Sequence, residues 1–345
     1  VSVSGGDANV ARHANVAIFV PHLGCPHACS FCNQREIAGT QREPSPEDVR
    51  SAARRALADL GPRAAGAEIA FFGGSFTAVE RGLMVSLLEA ASGFVGPGGF
   101  RGIRISTRPD AVGEDILALL RRYGVTAVEL GAQSMDDRVL ALSGRGHTAR
   151  DVEDAARRIR AAGFELGLQM MTGLDGDTPA GALRTAERLA ACRPDTVRIY
   201  PALVLRNTRL ADLFRSGAYR PQTLGEAAEL CAKLLIFFEE KGIRVIRLGL
   251  HAERSLEENL LAGPWHPAFR EICEGRVYIE RAERALAAAG VRPGGGAVLE
   301  LPRRDLSKLT GRGGEALREL ERKTGVKLAA RGAELPKYTV RAVCG

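Results

Sequence analysis

No run of about 18 apolar residues occurs in the chain, so no membrane-spanning helix is expected. The opening residues, Val1 to Arg12, are small and polar and lack the apolar core of a secretory signal. Residues 1–14 therefore read as a flexible tail, and the default compartment is the cytoplasm. Cysteines number seven, an odd set behind no signal, which argues against a disulfide framework. Tryptophan occurs once, at Trp265. The first apolar strand pattern is not followed by G-x-G-x-x-G, which removes a dinucleotide-binding Rossmann unit. Charge is nearly balanced, with 48 basic against 41 acidic residues and a net charge of +7. That mild excess suits a polyanionic partner and equally suits an Arg- and Ala-rich composition with no such meaning.

What is present begins with three clustered cysteines, in Cys25-Pro26-His27-Ala28-Cys29-Ser30-Phe31-Cys32. This C-x3-C-x2-C spacing directly follows the apolar run Val16 to Val20. A strand delivers the chain to a tight loop that presents three sulfurs. Thiolates are the usual ligands of iron–sulfur clusters, and three can hold three irons of a [4Fe-4S] cluster. The fourth iron then stays open to a small chelating ligand. The same sulfurs with His22 or His27 would also suit a Cys3His zinc site. Cys231 falls on the apolar face of a helix and reads as core.

Strand and helix patterns then alternate about six times between residues 16 and 241. Val49, Ala52, Ala53, Ala56, Leu57 and Leu60 form one helical stripe behind the start signal Pro44-Ser45-Pro46. The strands are near-continuous apolar runs, as in parallel sheets covered on both faces. The expected fold class is α/β, a partial parallel (β/α)6 barrel with a small C-terminal α+β module. The expected domains are a barrel over 15–250, a connecting segment and helix over 251–292, and the small module over 293–345. A barrel fits better than an open sheet because the unusual residues all lie just past strand ends, the rim that carries chemistry in barrels.

Those rim residues have both plain and functional readings. Gly73 and Gly74, followed by Ser75, let backbone approach a ligand, though turns use Gly-Gly routinely. Arg108 could pair a carboxylate or phosphate, or sit in a surface salt bridge. Glu129, if it points inward, needs a partner. Gln133 and Ser134 suit hydrogen bonds to a ribose or carboxylate. Arg145 and His147 precede Thr148, a helix N-cap candidate, and could face the barrel mouth. Tyr200 could stack on a base or pack against the barrel.

The cysteine spacing resembles the signature of the radical S-adenosylmethionine (SAM) superfamily. Several strings in order narrow the likeness: Gly73-Gly74-Ser75-Phe76-Thr77, Thr107-Arg108-Pro109-Asp110, Glu129 to Ser134, Arg145-Gly146-His147-Thr148 and Ile199 to Val204. Together they resemble the radical SAM domain of the Elongator catalytic subunit and its short bacterial relatives. The resemblance implies a [4Fe-4S] cluster on Cys25, Cys29 and Cys32, and SAM chelated at the open iron. It implies a 5′-deoxyadenosyl radical, a tRNA wobble-uridine substrate, and an electron donor such as flavodoxin or ferredoxin. Gly73, Gly74, Ser75, Arg108, Gln133 and Ser134 become candidates around SAM. Arg108, Glu129, Arg145, His147 and Tyr200 become candidate catalytic residues. The Elongator subunit continues into a large acetyltransferase-like domain for which no room is seen here, so the acetyl donor is not carried over. The Gly263-Pro264-Trp265-His266-Pro267 stretch resembles a short bacterial group named after coproporphyrinogen oxidases.

The C-terminal pattern runs β-α-GxxG-α-β-β, with Gly311-Arg312-Gly313-Gly314 between two helices. It resembles a reduced KH domain, whose GxxG loop clamps nucleic-acid backbone. Lys308, Arg312 and Arg318 surround it. The expected activity is radical modification of RNA, specifically tRNA. The alternatives are the same chemistry on a small molecule, or an RNA-binding protein with a structural metal.

Overall fold

The computed structural model describes residues 15–20, 24–25, 29–33, 42–250 and 254–344, with the side chain of Arg312 left aside. The tail over 1–14, His22 and His27 lie outside the described residues.

Alternation of strand and helix follows the sequence closely. The first half comprises β1 (Asn15–Val20), α1 (Pro46–Leu60), β2 (Glu68–Gly73), α2 (Arg81–Ser92), β3 (Gly102–Thr107), α3 (Glu114–Arg122) and β4 (Val125–Gln133). Then come α4 (Asp137–Leu142), α5 (Ala149–Ala161), β5 (Glu165–Thr172), α6 (Pro179–Ala191) and β6 (Thr196–Pro201). A short excursion, β7 (Val204–Leu205) and α7 (Arg209–Arg215), precedes α8 (Leu224–Glu240) and β8 (Arg244–Leu248). Capping boxes start three of these helices: Ser45 with Asp48, Thr148 with Asp151, and Thr223 with Glu226. Each satisfies two otherwise orphaned groups at a helix start.

Seven strands form one parallel sheet in the order β1-β2-β3-β4-β5-β6-β8. The edge strands β1 and β8 are not paired with each other, so the sheet is a partial barrel. Arg244–Leu248, beyond the six alternations seen in the sequence, contributes the seventh strand. Helices cover the outer face with residues such as Val49, Leu87, Leu120, Ile159 and Leu189, all buried.

The lumen is polar at its N-terminal end, unlike the layered aliphatic interior of most barrels. Arg104, with 0% exposure, donates through Nε to Glu68 at 2.8 Å and through Nη2 to Glu165 at 2.8 Å. Its Nη1 lies 3.2 Å from Glu129. Glu129 also accepts two bonds from Arg198, at 2.8 and 3.0 Å. Register explains the space. Arg104 stands beside Ala70 and Ala127, and Glu129 beside Gly167, where a Cβ would come within 2.6 Å of Glu129 Cγ.

After α9 (Arg254–Asn259) and β9 (Leu260–Ala262), which pairs with β7, α10 runs from Phe269 to Ala288. It is the helix that the sequence places within 251–292. Phe269, Cys273 and Val277 supply its first apolar stripe, packed in the barrel's core. Gly275 interrupts the pattern but lets the Lys308 carbonyl approach, 3.2 Å from where a Cβ would stand. The other half of α10, with Tyr278, Ile279, Ala282 and Leu286, belongs to a second core. That core includes Leu299 and Leu301 of β10 (Gly296–Pro302), Leu309 of α11 (Ser307–Thr310) and Leu320 of α12 (Glu315–Thr324). Strands β11 (Lys327–Ala333) and β12 (Arg341–Cys344) flank β10, the first parallel and the second antiparallel. The glycine-rich stretch before β10 is a tied turn: Gly294 N–H donates to Gly325 at 2.7 Å and Gly295 accepts from Lys327 at 2.9 Å.

Candidate functional site at the barrel rim

The cysteine loop is pinned on two sides. On one, Gly24 adopts φ +71° and rests on the turn after β2; a Cβ there would lie 2.3 Å from the Ser75 carbonyl oxygen. Gly73, at φ +111°, has no room for a Cβ against the Val20 carbonyl at 2.6 Å. Gly74 N–H donates to that same carbonyl at 2.7 Å. Here Gly73 is demanded by the close approach of two strand ends. On the other side, Ser30 N–H donates to Ser143 at 2.9 Å and Leu210 N–H donates to Ser30 at 2.7 Å. Asn33 Nδ2 donates to the Arg206 carbonyl at 2.7 Å. Phe31 packs in a small apolar cluster with Met171 and Tyr200.

Cys25, Cys29 and Cys32 are half-buried and form no disulfide among the described residues. Burial pushes the Cys25 thiol up, the neighbouring Cys29 adds to this, and the charges of Arg145 and Arg108 act against it. Among the described residues no three Cys, His, Asp or Glu side chains converge on one point as the ligands of a single ion do. Ligands of a four-iron cluster bind different corners and stand farther apart than that.

Two arginines face the loop. Arg108 holds Asp110 with two bonds of 2.9 Å each. Burial works against the Asp110 carboxylate, but Arg108 outweighs it and keeps the group below its ordinary range. Arg108 Nη2 also donates to the Arg145 carbonyl at 2.6 Å. The Arg145 guanidinium donates to the Gly131 carbonyl at 2.6 Å and to Cys29 Sγ at 3.2 Å. His147 Nε2 lies 3.2 Å from the Ala132 carbonyl, which only accepts, so Nε2 carries the proton and Nδ1 is a bare acceptor. Burial first, then the charge of Arg145, lowers His147 to about 4, so its ring is neutral at pH 7.

The other sequence candidates separate into layers. Ser75 Oγ is 2.9 Å from Thr107 Oγ1 and accepts from Arg108 N–H at 3.2 Å, bracing the rim from below. Gln133, at φ +64°, points along the lumen and accepts from Gln169 at 3.1 Å. Ser134 turns the other way. Its hydroxyl accepts from Asp136 N–H at 3.1 Å and lies 3.4 Å from Thr185 on α6, so it is not gathered with the cysteines. Glu129 lies deeper, in the ion network with Arg104 and Arg198. Tyr200 is half-buried between Arg198 and the cluster around Phe31. Arg198, Arg104, Glu68, Glu165 and Asp110 were not singled out from sequence. Polar residues on one face of otherwise apolar strands, such as Arg104 and Ser106 or Glu165 and Gln169, are the available signal.

At the GxxG turn, Gly313 and Gly314 have φ of +69° and +74°. Gly311 has no space for a Cβ, which would lie 2.3 Å from the Ser307 carbonyl. Lys308 is paired with Glu274 at 2.8 Å and Arg318 donates to the Gly313 carbonyl at 2.7 Å. Lys308 is thus neutralised by a carboxylate, whereas Arg318 is exposed beside the turn and bonds only a carbonyl.

With this geometry in hand, two family models match the chain: the radical SAM superfamily over residues 19–189 and the Radical_SAM C-terminal domain over residues 194–278. The chain belongs to the radical SAM superfamily. Among its relatives, a tRNA uridine(34) acetyltransferase of Dehalococcoides mccartyi is 28% identical over 255 residues, 64% of this chain and 55% of that protein. Elongator complex protein 3 of Homo sapiens is 34% identical over 140 residues, 39% of this chain and 25% of that protein. The chain thus spans about half or less of the length of these curated relatives. Among solved structures, the archaeal Methanocaldococcus infernus Elp3 superposes with a TM-score of 0.60 at 20% identity, covering 81% of this chain and 63% of that one. That likeness establishes the fold, a radical SAM half-barrel. No helix among the described residues is long and apolar enough to cross a membrane.

The rim suits the cofactors that this family implies. Soft thiolates are the donors, beside residues held at Gly24, Ser30 and Asn33. Four buried polar atoms here have no partner among the described residues: Arg108 Nη1, Arg145 Nε, His147 Nδ1 and Ser30 Oγ. Native interiors rarely leave such groups unsatisfied, and a bound group at the rim would satisfy them.

Proposed function

We propose that the chain is the catalytic barrel of a radical SAM enzyme that modifies RNA, specifically tRNA. Cys25, Cys29 and Cys32 hold a [4Fe-4S] cluster, and SAM binds beside it. When bound and reduced, the cluster supplies the electron that cleaves the SAM sulfonium and yields a 5′-deoxyadenosyl radical. Gly73 and Gly74 offer backbone to SAM, and Ser75 braces them. Gln133 provides an amide along the lumen wall. Arg108 and Arg145 supply donors and positive charge to anionic groups at the rim. His147 offers a neutral acceptor nitrogen. Glu129 and Tyr200 line the lumen below, which excludes water from the reacting groups. The observation that carries this reading is the set of three cysteines beside the held residues Gly24 and Ser30, with Arg145 3.2 Å from Cys29.

Two lines support tRNA as the substrate. The similar proteins named above include a tRNA uridine(34) acetyltransferase, and the C-terminal sheet carries a GxxG turn of the kind that clamps RNA backbone. Cysteines outside any disulfide among the described residues suit a reducing compartment, the cytoplasm, where flavodoxin or ferredoxin would donate electrons. Mass spectrometry of nucleosides from tRNA incubated with the reconstituted, reduced protein and SAM tests the substrate. A new modified nucleoside, lost in Cys29→Ala, is expected; unchanged tRNA with normal SAM cleavage would point to a small-molecule substrate.

A further inference from the structure

We propose that Arg145 is a positioning residue for the cluster: it fixes Cys29 by an N–H···S hydrogen bond and thereby raises the cluster's reduction potential. This rests on the cysteine loop holding a cluster, as argued above. Arg145 is 7% exposed, and its guanidinium has two partners among the described residues, the Gly131 carbonyl and Cys29 Sγ. No carboxylate pairs with it among the described residues, so its charge is directed at the sulfur rather than cancelled.

Both ends of the residue are held. Its backbone carbonyl accepts from Arg108, which is itself clamped by Asp110 through two 2.9 Å bonds. Its head is fixed by the 2.6 Å bond to Gly131. A Cβ at position 131 would press Gln133 Nε2, 3.0 Å away, and Arg145 Nη2, 3.3 Å away, so an alanine there nudges the head group. The relay Asp110–Arg108–Arg145–Cys29 therefore presents one N–H to one chosen sulfur of the three.

The physical consequence follows from charge. Reduction adds an electron to the cluster, and a fixed cation with an N–H on a ligating sulfur stabilises the more negative state more. Removing it makes the cluster harder to reduce.

The test is an EPR-monitored redox titration of the anaerobically reconstituted chain, without SAM or substrate, in wild type, Arg145→Met, Arg145→Lys and Gly131→Ala. The Met variant is expected to show roughly a tenfold lower ratio of reduced to oxidised cluster at a fixed potential, about 59 mV for one electron. Lys restores part of the shift by keeping the charge, and Gly131→Ala shifts the same way by displacing the head group. If Arg145→Met takes up no iron, an intermediate potential in the Lys and Gly131→Ala variants carries the proposal. Wild-type potential in all three variants overturns it. Failure of the wild type to take up iron overturns instead the reading of the cysteine loop.

Discussion

Gly24 and Ser75 meet backbone to backbone: a Cβ on Gly24 would stand 2.3 Å from the Ser75 carbonyl oxygen. Through this contact the cysteine loop takes its place from the turn after β2. Gly24 also holds φ at +71°, where a side chain is strained. Gly24→Ala is expected to displace the loop and lower the iron bound per chain, while the far-ultraviolet circular dichroism stays that of wild type. Iron and sulfide analysis after reconstitution measures it.

A second expectation concerns the lumen. Glu129 is bound by Arg198 at 2.8 and 3.0 Å, with Arg104 3.2 Å away. Removing one member of a buried pair leaves a charge uncompensated and costs about 3–5 kcal/mol. Glu129→Ala should lower stability by an amount of that order in urea unfolding. The double variant Glu129→Met, Arg198→Met should recover part of the loss, because both charges are then gone. A single variant as stable as wild type would mean that the network is not formed.

The pH dependence of stability has a definite sign. An unfolded histidine takes its proton near its ordinary value of about 6.5, whereas buried His147 does so only at about 4. Between these values the unfolded chain binds more protons. The contribution is fully present above about pH 6.5 and is lost as pH falls toward 4, at most about 3 kcal/mol. Urea midpoints measured from pH 7 down to 4 should fall less steeply in His147→Gln than in wild type.

At the C-terminal turn, Gly313 is exposed and sits at φ +69°, which aspartate tolerates better than most side chains. Gly313→Asp places a negative charge where RNA backbone is proposed to lie. Binding of tRNA, measured by filter retention at low salt, should weaken at least tenfold, while SAM cleavage without RNA stays unchanged. Wild-type binding should itself weaken steeply with salt.

Much of this fold is legible in the chain because local pattern and tertiary need agree. The apolar runs at Val16 to Val20 and Ile69 to Phe72 read as strands, and they form β1 and most of β2. Thr148 is a cap by its own chemistry and is one here. What local pattern does not carry is register across strands. Nothing near Arg104 announces Glu68 or Glu165, since parallel pairing brings them together from β2 and β5. Ser134 follows Gln133, whose positive φ redirects the chain, so adjacent polar residues face different elements. Gly275 resembles a break in a helix until the Lys308 carbonyl is seen packed against it.

EPR of the reduced, reconstituted chain before and after adding SAM reads whether the proposed cluster keeps one open corner. A four-iron signal that changes shape on SAM addition, accompanied by 5′-deoxyadenosine, is the predicted result. One tightly bound zinc per chain, with no iron signal and no cleavage of SAM, would contradict it.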